Sequence, residues 1–259
     1  MTGLDYGETM INHFQKLGSS AGIPTKDRGV TSLMIRTDKY DIMVDCGEGT
    51  YLRWIEEGYK WRRLKYILIT HMHPDHTAGL IPLIFYRNIL RIEPPLVLYG
   101  PSNLEEYILD SCKHQGINLK FDIEFNSIED LSEFSLDDDI FVTTAQLEHK
   151  VNCTGYKIED ENTSIAFMTD TLPIDQTKEF AYGVDHFIHE ATFLDEHLEL
   201  SEETKHTTFS QAVKLGQESE VGQIYLTHFS PRIEDEEIED LENKFNFISL
   251  HRSQKIKVK

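Results

Sequence analysis

The sequence predicts an α/β fold, and three observations carry that expectation. Short apolar, β-branched runs alternate with helical patterns along most of the chain. Four of those runs, Ile67–Thr70, Ile165–Thr169, Phe187–His189 and Ile224–Thr227, each hand over to a metal- or proton-active residue: His71, Asp170, Glu190 and His228. Open sheets commonly assemble a site from distant sequence at the C-terminal ends of strands. Finally, Thr70–His71–Met72–His73–Pro74–Asp75–His76 packs three imidazoles and a carboxylate between an apolar strand and an apolar helix.

The chain reads in order as follows. Phe14–Pro24 is a small-residue loop that could cradle phosphate or simply turn. Val30–Arg36 and Tyr40–Asp45 form a strand pair, Thr50–Gly58 a helix, Leu64–Thr70 the strand that carries the cluster, and Thr77–Leu90 the following helix. Leu96–Tyr99 is a strand, and Pro101–Ser102–Asn103 caps a helix to about Gly116. Strands follow at Asp122–Phe125, Ile140–Ala145, Gly155–Ile158 and Ser164–Thr169. A helix runs from Thr207 to about Ser219, and Gln223–Thr227 reads as the last strand. Asp137–Asp139 is a turn. Glu234–Glu242 is the solvated face of a helix whose other side uses Ile238, Leu241 and Phe245.

Composition narrows the class. A chain of 259 residues with 39% hydrophobic and 10% aromatic content has ample core for one large domain. With 25 Lys and Arg against 45 Asp and Glu, the formal charge is −20, which disfavours non-specific polyanion binding but leaves room for a local basic patch. Lys60–Trp61–Arg62–Arg63 and the tail from His251 to Lys259 are the concentrated positive stretches, and both read as solvated surface. No run approaches the ~18 apolar residues of a membrane span. Residues 1–8 lack a basic segment followed by an apolar one, so no export signal is expected. Cys46, Cys112 and Cys153 show no framework spacing, which fits thiols in a reducing cytoplasm.

His71 and His73, two residues apart, point to one side of an extended segment, and Asp75 and His76 follow as the chain turns. Imidazole and carboxylate suit Zn2+, Mn2+ or Fe. Four ligands in so short a loop exceed what one tetrahedral ion takes, which points to two adjacent metals about 3.5–4 Å apart.

The pattern His71-x-His73-x-Asp75-His76 resembles the signature of the metallo-β-lactamase superfamily, and within it the chain is most similar to RNase Z, which trims tRNA 3′ ends. Leu17–Pro24 with Arg28, Val44–Thr50, His189–Phe193 and Leu226–Arg232 each resemble motifs of that family, so the likeness runs nearly end to end. It implies a single αβ/βα four-layer domain over residues 1–259, with two zinc ions. His71, His73 and His149 would hold one ion, Asp75, His76 and His228 the other, and Asp170 would bridge them. Asp75 would also be the general base. His206 with Glu190 would protonate the leaving oxygen. The implied activity is phosphodiester hydrolysis by a metal-activated water, on a tRNA precursor or other RNA, by a homodimer. The chain departs from the family in three places. Val151–Thr169 is too short for the long arm that grips tRNA, Pro74 stands where Gly is frequent, and Thr169 precedes Asp170 where Gly is usual. The first departure opens an alternative substrate, a small cyclic nucleotide or sugar phosphodiester. A thioester or lactam hydrolase on the same fold is a further alternative, against which His206 and the His228–Arg232 segment argue.

Overall fold

A computed structural model describes residues 8–129, 132–252 and 254–258. Residues 1–7, 130–131, Ser253 and Lys259 lie outside it, and with them most of the stretch read as carrying no export signal and part of the basic tail. Two seven-stranded sheets face each other. The first half of the chain builds one sheet in simple succession: β1 (Ile11–Gly18), β2 (Ser32–Thr37), β3 (Asp41–Val44), β4 (Leu64–Leu68), β5 (Leu96–Gly100) and β6 (Ile123–Ser127). The second half builds the other: β7 (Glu133–Ser135), β8 (Phe141–Leu147), β9 (Cys153–Glu159), β10 (Ser164–Met168), β11 (His186–Glu190), β12 (Gln223–Thr227) and β13 (Ile248–Ser249). The final strand, β14 (Lys255–Lys257), crosses back and pairs antiparallel with β1. Strands β3–β6 run parallel, as do β10–β13.

Helices cover the outer faces. Over the first sheet lie α1 (Thr50–Glu56), α2 (Pro74–Thr77), α3 (Leu80–Ile89) and α4 (Leu104–His114). Over the second lie α5 (Asp175–Phe180), α6 (Leu198–Thr204), α7 (Phe209–Glu218) and α8 (Asp235–Phe245). The strand alternation sorts side chains into three apolar layers. Phe14, Ile35, Tyr156, Phe167 and Ile188 fill the space between sheets. Met34, Trp54, Ile67 and Leu80 lie beneath the first helical layer, and Met168, Phe187, Phe209 and Leu226 beneath the second. The result is the αβ/βα four-layer sandwich. No described helix is long and apolar enough to cross a membrane.

Four local expectations are corrected. Phe14–Pro24 is not a loop throughout: β1 continues to Gly18, because Phe14 seats in the inter-sheet core while the polar Gln15 and Lys16 are themselves buried. Gln223–Thr227 is not the last strand, since β13 and β14 follow. They are two and three residues long and too polar to show a period. The helix expected over Thr77–Leu90 is two helices broken at Gly79. A Cβ there would lie 2.1 Å from the Gly47 carbonyl oxygen, and one on Gly47 would lie 1.8 Å from the Asp75 oxygen. These glycines let the β3–α1 loop rest directly on the turn that carries the cluster. Asn103 occupies the cap position of α4 without donating or accepting a side-chain cap bond. The Asp137 turn stands as read: its carboxylate accepts from the backbone N–H groups of Asp139 and Ile140.

Candidate metal centre

Five of the parallel strands, three of them in the second sheet, deliver residues to one cleft at their C-terminal ends. β3 leads to Asp45, β4 through Thr70 to His71, β10 through Thr169 to Asp170, β11 ends in Glu190, and β12 leads to His228. His149 comes from the β8–β9 turn and His206 from the α6–α7 connection. Asp45, Asp170 and His228 all take left-handed backbone conformations, with φ of 59°, 58° and 56°. That conformation is sterically costly outside glycine, and it clusters at functional sites.

The sequence-predicted residues converge. Ligand-type atoms of His71, His73, His149 and Asp170 lie within 4.8 Å of one another, as do those of Asp75, His76 and His228, and those of Asp170, His206 and His228. His73 Nδ1 is 2.9 Å from His71 Nε2 and 3.3 Å from His149 Nε2. Asp170 faces both groups. Its Oδ2 lies 3.8 Å from His71 Nε2 and 3.7 Å from His149 Nε2, while its Oδ1 lies 3.4 Å from His76 Nε2 and 3.1 Å from His228 Nε2. Asp75 Oδ2 lies 3.4 Å from His76 Nε2.

Behind the cleft, the imidazoles of His71, His76, His149 and His228 are fixed by their other nitrogen. His76 Nδ1 donates to Asp45 Oδ2 at 2.7 Å. His71 Nδ1 lies 3.0 Å from the Thr70 hydroxyl, which donates to the same Asp45 carboxylate at 2.9 Å. His228 Nδ1 donates to the Thr192 hydroxyl at 2.8 Å, and Thr192 donates to Glu190 at 2.5 Å. His149 Nδ1 donates to the Lys205 carbonyl at 3.3 Å. These partners set the tautomer, so the Nε2 lone pairs of His71, His76, His149 and His228 face the cleft. Asp45, Thr70, Thr192 and the Lys205 carbonyl received no role from the sequence reading. The signal for them was the rule that a ligating imidazole needs a partner for its second nitrogen.

Buried polar atoms normally find hydrogen bonds. Here His76 Nε2, His228 Nε2 and Asp170 Oδ1 are buried without one, and all three face one another. Three orphaned lone-pair donors around one point are what a cation would satisfy, so the residues present fit a metal pair. Burial pushes the Asp75 carboxyl up, but the nearby His228 and His76 imidazoles outweigh it and hold the group well below the usual range. Burial keeps His71, His73 and His149 neutral, the form that ligates.

Glu190 is fully buried and accepts from Thr171 N–H, Thr207 N–H, the Thr192 hydroxyl and His206 Nδ1, the last at 2.9 Å. Burial works against charge on His206, but the Glu190 carboxylate outweighs it and pushes the imidazole up to about 9. The cleft opens into a cavity of about 500 Å³ whose walls include Ile23, Lys150, Phe193, Leu200 and Arg232. The loop after β1, Ser19–Pro24, forms one lip. Ala21 N–H donates to Phe229, Phe229 N–H donates to Ser19, and Gly22 N–H donates to Asp75 Oδ2 at 2.9 Å.

The family model described as the beta-lactamase superfamily domain matches residues 40–229, which take in the seven candidate metal ligands together with Glu190 and His206. The chain belongs to the beta-lactamase superfamily. Within this superfamily it is 29% identical over 268 residues to ribonuclease Z of Acaryochloris marina, covering 83% of this chain and 85% of that one. Proteins of known structure share the fold. The short form of human tRNase Z superposes with a TM-score of 0.77 at 24% identity, covering 85% of this chain and 93% of that one. The Bacillus subtilis metallo-beta-lactamase fold protein YhfI gives 0.78 at 18% identity, covering 94% and 95%.

Proposed function

We propose that this chain is a dinuclear zinc phosphodiesterase of the RNase Z type that cleaves RNA, with a tRNA precursor as its substrate. The observation that carries the reading is the division of the Asp170 carboxylate between two imidazole groups, with the orphaned His76 Nε2, His228 Nε2 and Asp170 Oδ1 beside it. Likeness to ribonuclease Z along most of both chains supports the substrate class.

In this reading His71, His73 and His149 would hold one ion, Asp75, His76 and His228 the other, and Asp170 both. When bound, the pair would supply a water acidified to near neutral pH and neutralise charge on the phosphoryl oxygens. The residues around it supply the remainder. Asp75, ionised and held by Gly22 N–H, sits where it can take a proton from the attacking water. His206, held cationic by Glu190, presents its Nε2 as the proton donor to the departing ribose oxygen, which is otherwise a poor leaving group. The exposed apolar side chains Leu52, Ile55, Phe85 and Ile89 on α1 and α3 support association with a second copy.

The test is an assay of one preparation on a tRNA precursor with a 3′ trailer and on bis-p-nitrophenyl phosphate. Hydrolysis of both is expected, and both should be lost in His71→Ala and Asp75→Ala variants that retain their fold. Retained activity in either variant contradicts the assignment. Hydrolysis of only the small ester leaves a phosphodiesterase for small substrates.

A further inference from the structure

The two positive stretches of this acidic chain, nearly two hundred residues apart in sequence, meet in the fold. β14 pairs with β1 so that Lys257 lies opposite His13, and β1 pairs with β2 so that His13 lies opposite Arg36. Paired residues project from the same face of a sheet, so Lys257, His13 and Arg36 form a row across three strands, with backbones about 10 Å apart from end to end. Lys255 lies opposite Gln15, on the same face and nearer the cleft. The guanidinium of Arg36 sits 4.5 Å over the Tyr59 ring, which brings in the Lys60–Arg63 turn. Arg36 and Arg63 share one buried carboxylate, Asp41, so two guanidinium groups are balanced by one charge. Lys60, Arg62, Lys255 and Lys257 are exposed, and among the described residues none has an acidic side chain within ion-pair distance. Burial, and then Arg36, Lys255 and Lys257, keep His13 neutral, which reflects how close these cations stand.

This row has a fixed relation to the cleft. β1 runs from His13 to Gly18, five residues or about 17 Å, and its lip reaches Asp75 through Gly22 N–H. A duplex stem rising ~3.4 Å per step, or somewhat less in the A form of RNA, covers that distance in about five or six base pairs. The segment between His149 and Asp170, meanwhile, is folded into the β9–β10 hairpin. In a chain of net charge −20 this row is a local concentration of positive charge that a phosphate backbone leaving the cleft can meet.

Building on the RNA reading above, we propose that the strip formed by Lys255, Lys257, Lys60 and Arg62 around Arg36 docks the phosphate backbone of the substrate's duplex stem while its 3′ end lies in the cleft. The contacts are to phosphate and sugar, so they give affinity and orientation without reading sequence.

The experiment compares the parent with Lys255→Glu/Lys257→Glu, with Arg62→Glu, and with Lys214→Glu, an exposed cation on α7 outside the strip, on both substrates across a salt series. In the strip variants KM for the tRNA precursor is expected to rise about tenfold or more, and the slope of log kcat/KM against log salt to flatten by about one for each phosphate no longer neutralised. Hydrolysis of bis-p-nitrophenyl phosphate and the Lys214→Glu variant should match the parent. If the parent cleaves both substrates and the strip variants keep its salt slope on RNA, the docking strip is wrong and the RNase Z reading survives. If they lose both activities equally, the strip is again wrong, because the change is then structural. A parent that cleaves neither substrate overturns the function itself.

Discussion

Asp45 Oδ2 lies 2.7 Å from His76 Nδ1, and neither side chain is exposed to solvent. The same carboxylate takes the Thr70 hydroxyl and backbone N–H, so one acid from β3 fixes the imidazoles at both ends of the His71–His76 turn. Its left-handed backbone aims it there, and asparagine tolerates that conformation. Asp45→Asn should therefore keep the fold but lose the carboxylate that makes His76 Nε2 basic. Metal affinity is expected to fall about 10–100-fold. Competition with a chromogenic chelator checks this, and an unchanged affinity would remove Asp45 from the site.

The His206–Glu190 pair makes a prediction about leaving groups. A p-nitrophenolate departs without help, whereas a ribose alkoxide needs a proton. His206→Ala should lower kcat on RNA by about 10²–10⁴ and leave bis-p-nitrophenyl phosphate hydrolysis close to the parent. Because Glu190 raises His206 to about 9, the acid form is present below that pH and is lost as pH rises through it. The RNA rate should fall above pH about 9, and the small-ester rate should not follow it. The pair's contribution to folding has the same sign: it is complete below the ordinary imidazole value of 6.5 and gone above about 9.

What the sequence could disclose depended on whether a signal was local. The His71–His76 cluster and the strands ending in Asp170, Glu190 and His228 are short-range patterns, and the fold brings all of them to one rim. The ends of β1, β13 and β14 were hidden because Lys16 and Gln15 are polar yet buried, and because strands of two or three residues carry no period. Asp45, Thr70 and Thr192 were invisible as partners because their roles are defined only by which nitrogen of a distant imidazole they meet. The cationic strip was missed for the same reason: each half reads as ordinary surface until β14 is laid against β1.

Arg28 joins the lip of the cleft to the loop after β12. Its guanidinium is buried and donates to the Ser230 and Ile233 carbonyls at 3.2 and 2.7 Å, with Asp235 at 3.5 Å. Arg28→Ala would leave two buried carbonyls without donors and open a void beside the segment that carries His228. A loss of about 3 kcal/mol in urea denaturation is expected. A single Lys nitrogen cannot face both the carbonyls and Asp235, so Arg28→Lys should recover only part of it. A loss under about 1 kcal/mol for the alanine variant would mean that water replaces the guanidinium there.

Metal removal tests the centre most directly, through both stability and stoichiometry. With no cation between them, His76 Nε2, His228 Nε2 and Asp170 Oδ1 are buried without partners. Binding to the folded state alone adds about 2.7 kcal/mol for each site held at a hundredfold its dissociation constant. Two such sites give about 5 kcal/mol, or about 10–20 °C in the thermal midpoint of a chain this size. Chelation should therefore lower the midpoint by that amount, and Zn2+ should restore it. Metal analysis should find about two ions per chain. His149→Ala and His228→Ala should each bring the count towards one, because each removes a ligand from a different group, whereas Asp170→Ala should weaken both. A parent that binds a single ion, or an Asp170→Ala variant that still binds two tightly, would break the link between that carboxylate's two oxygens and two separate cations, and the dinuclear mechanism would go with it.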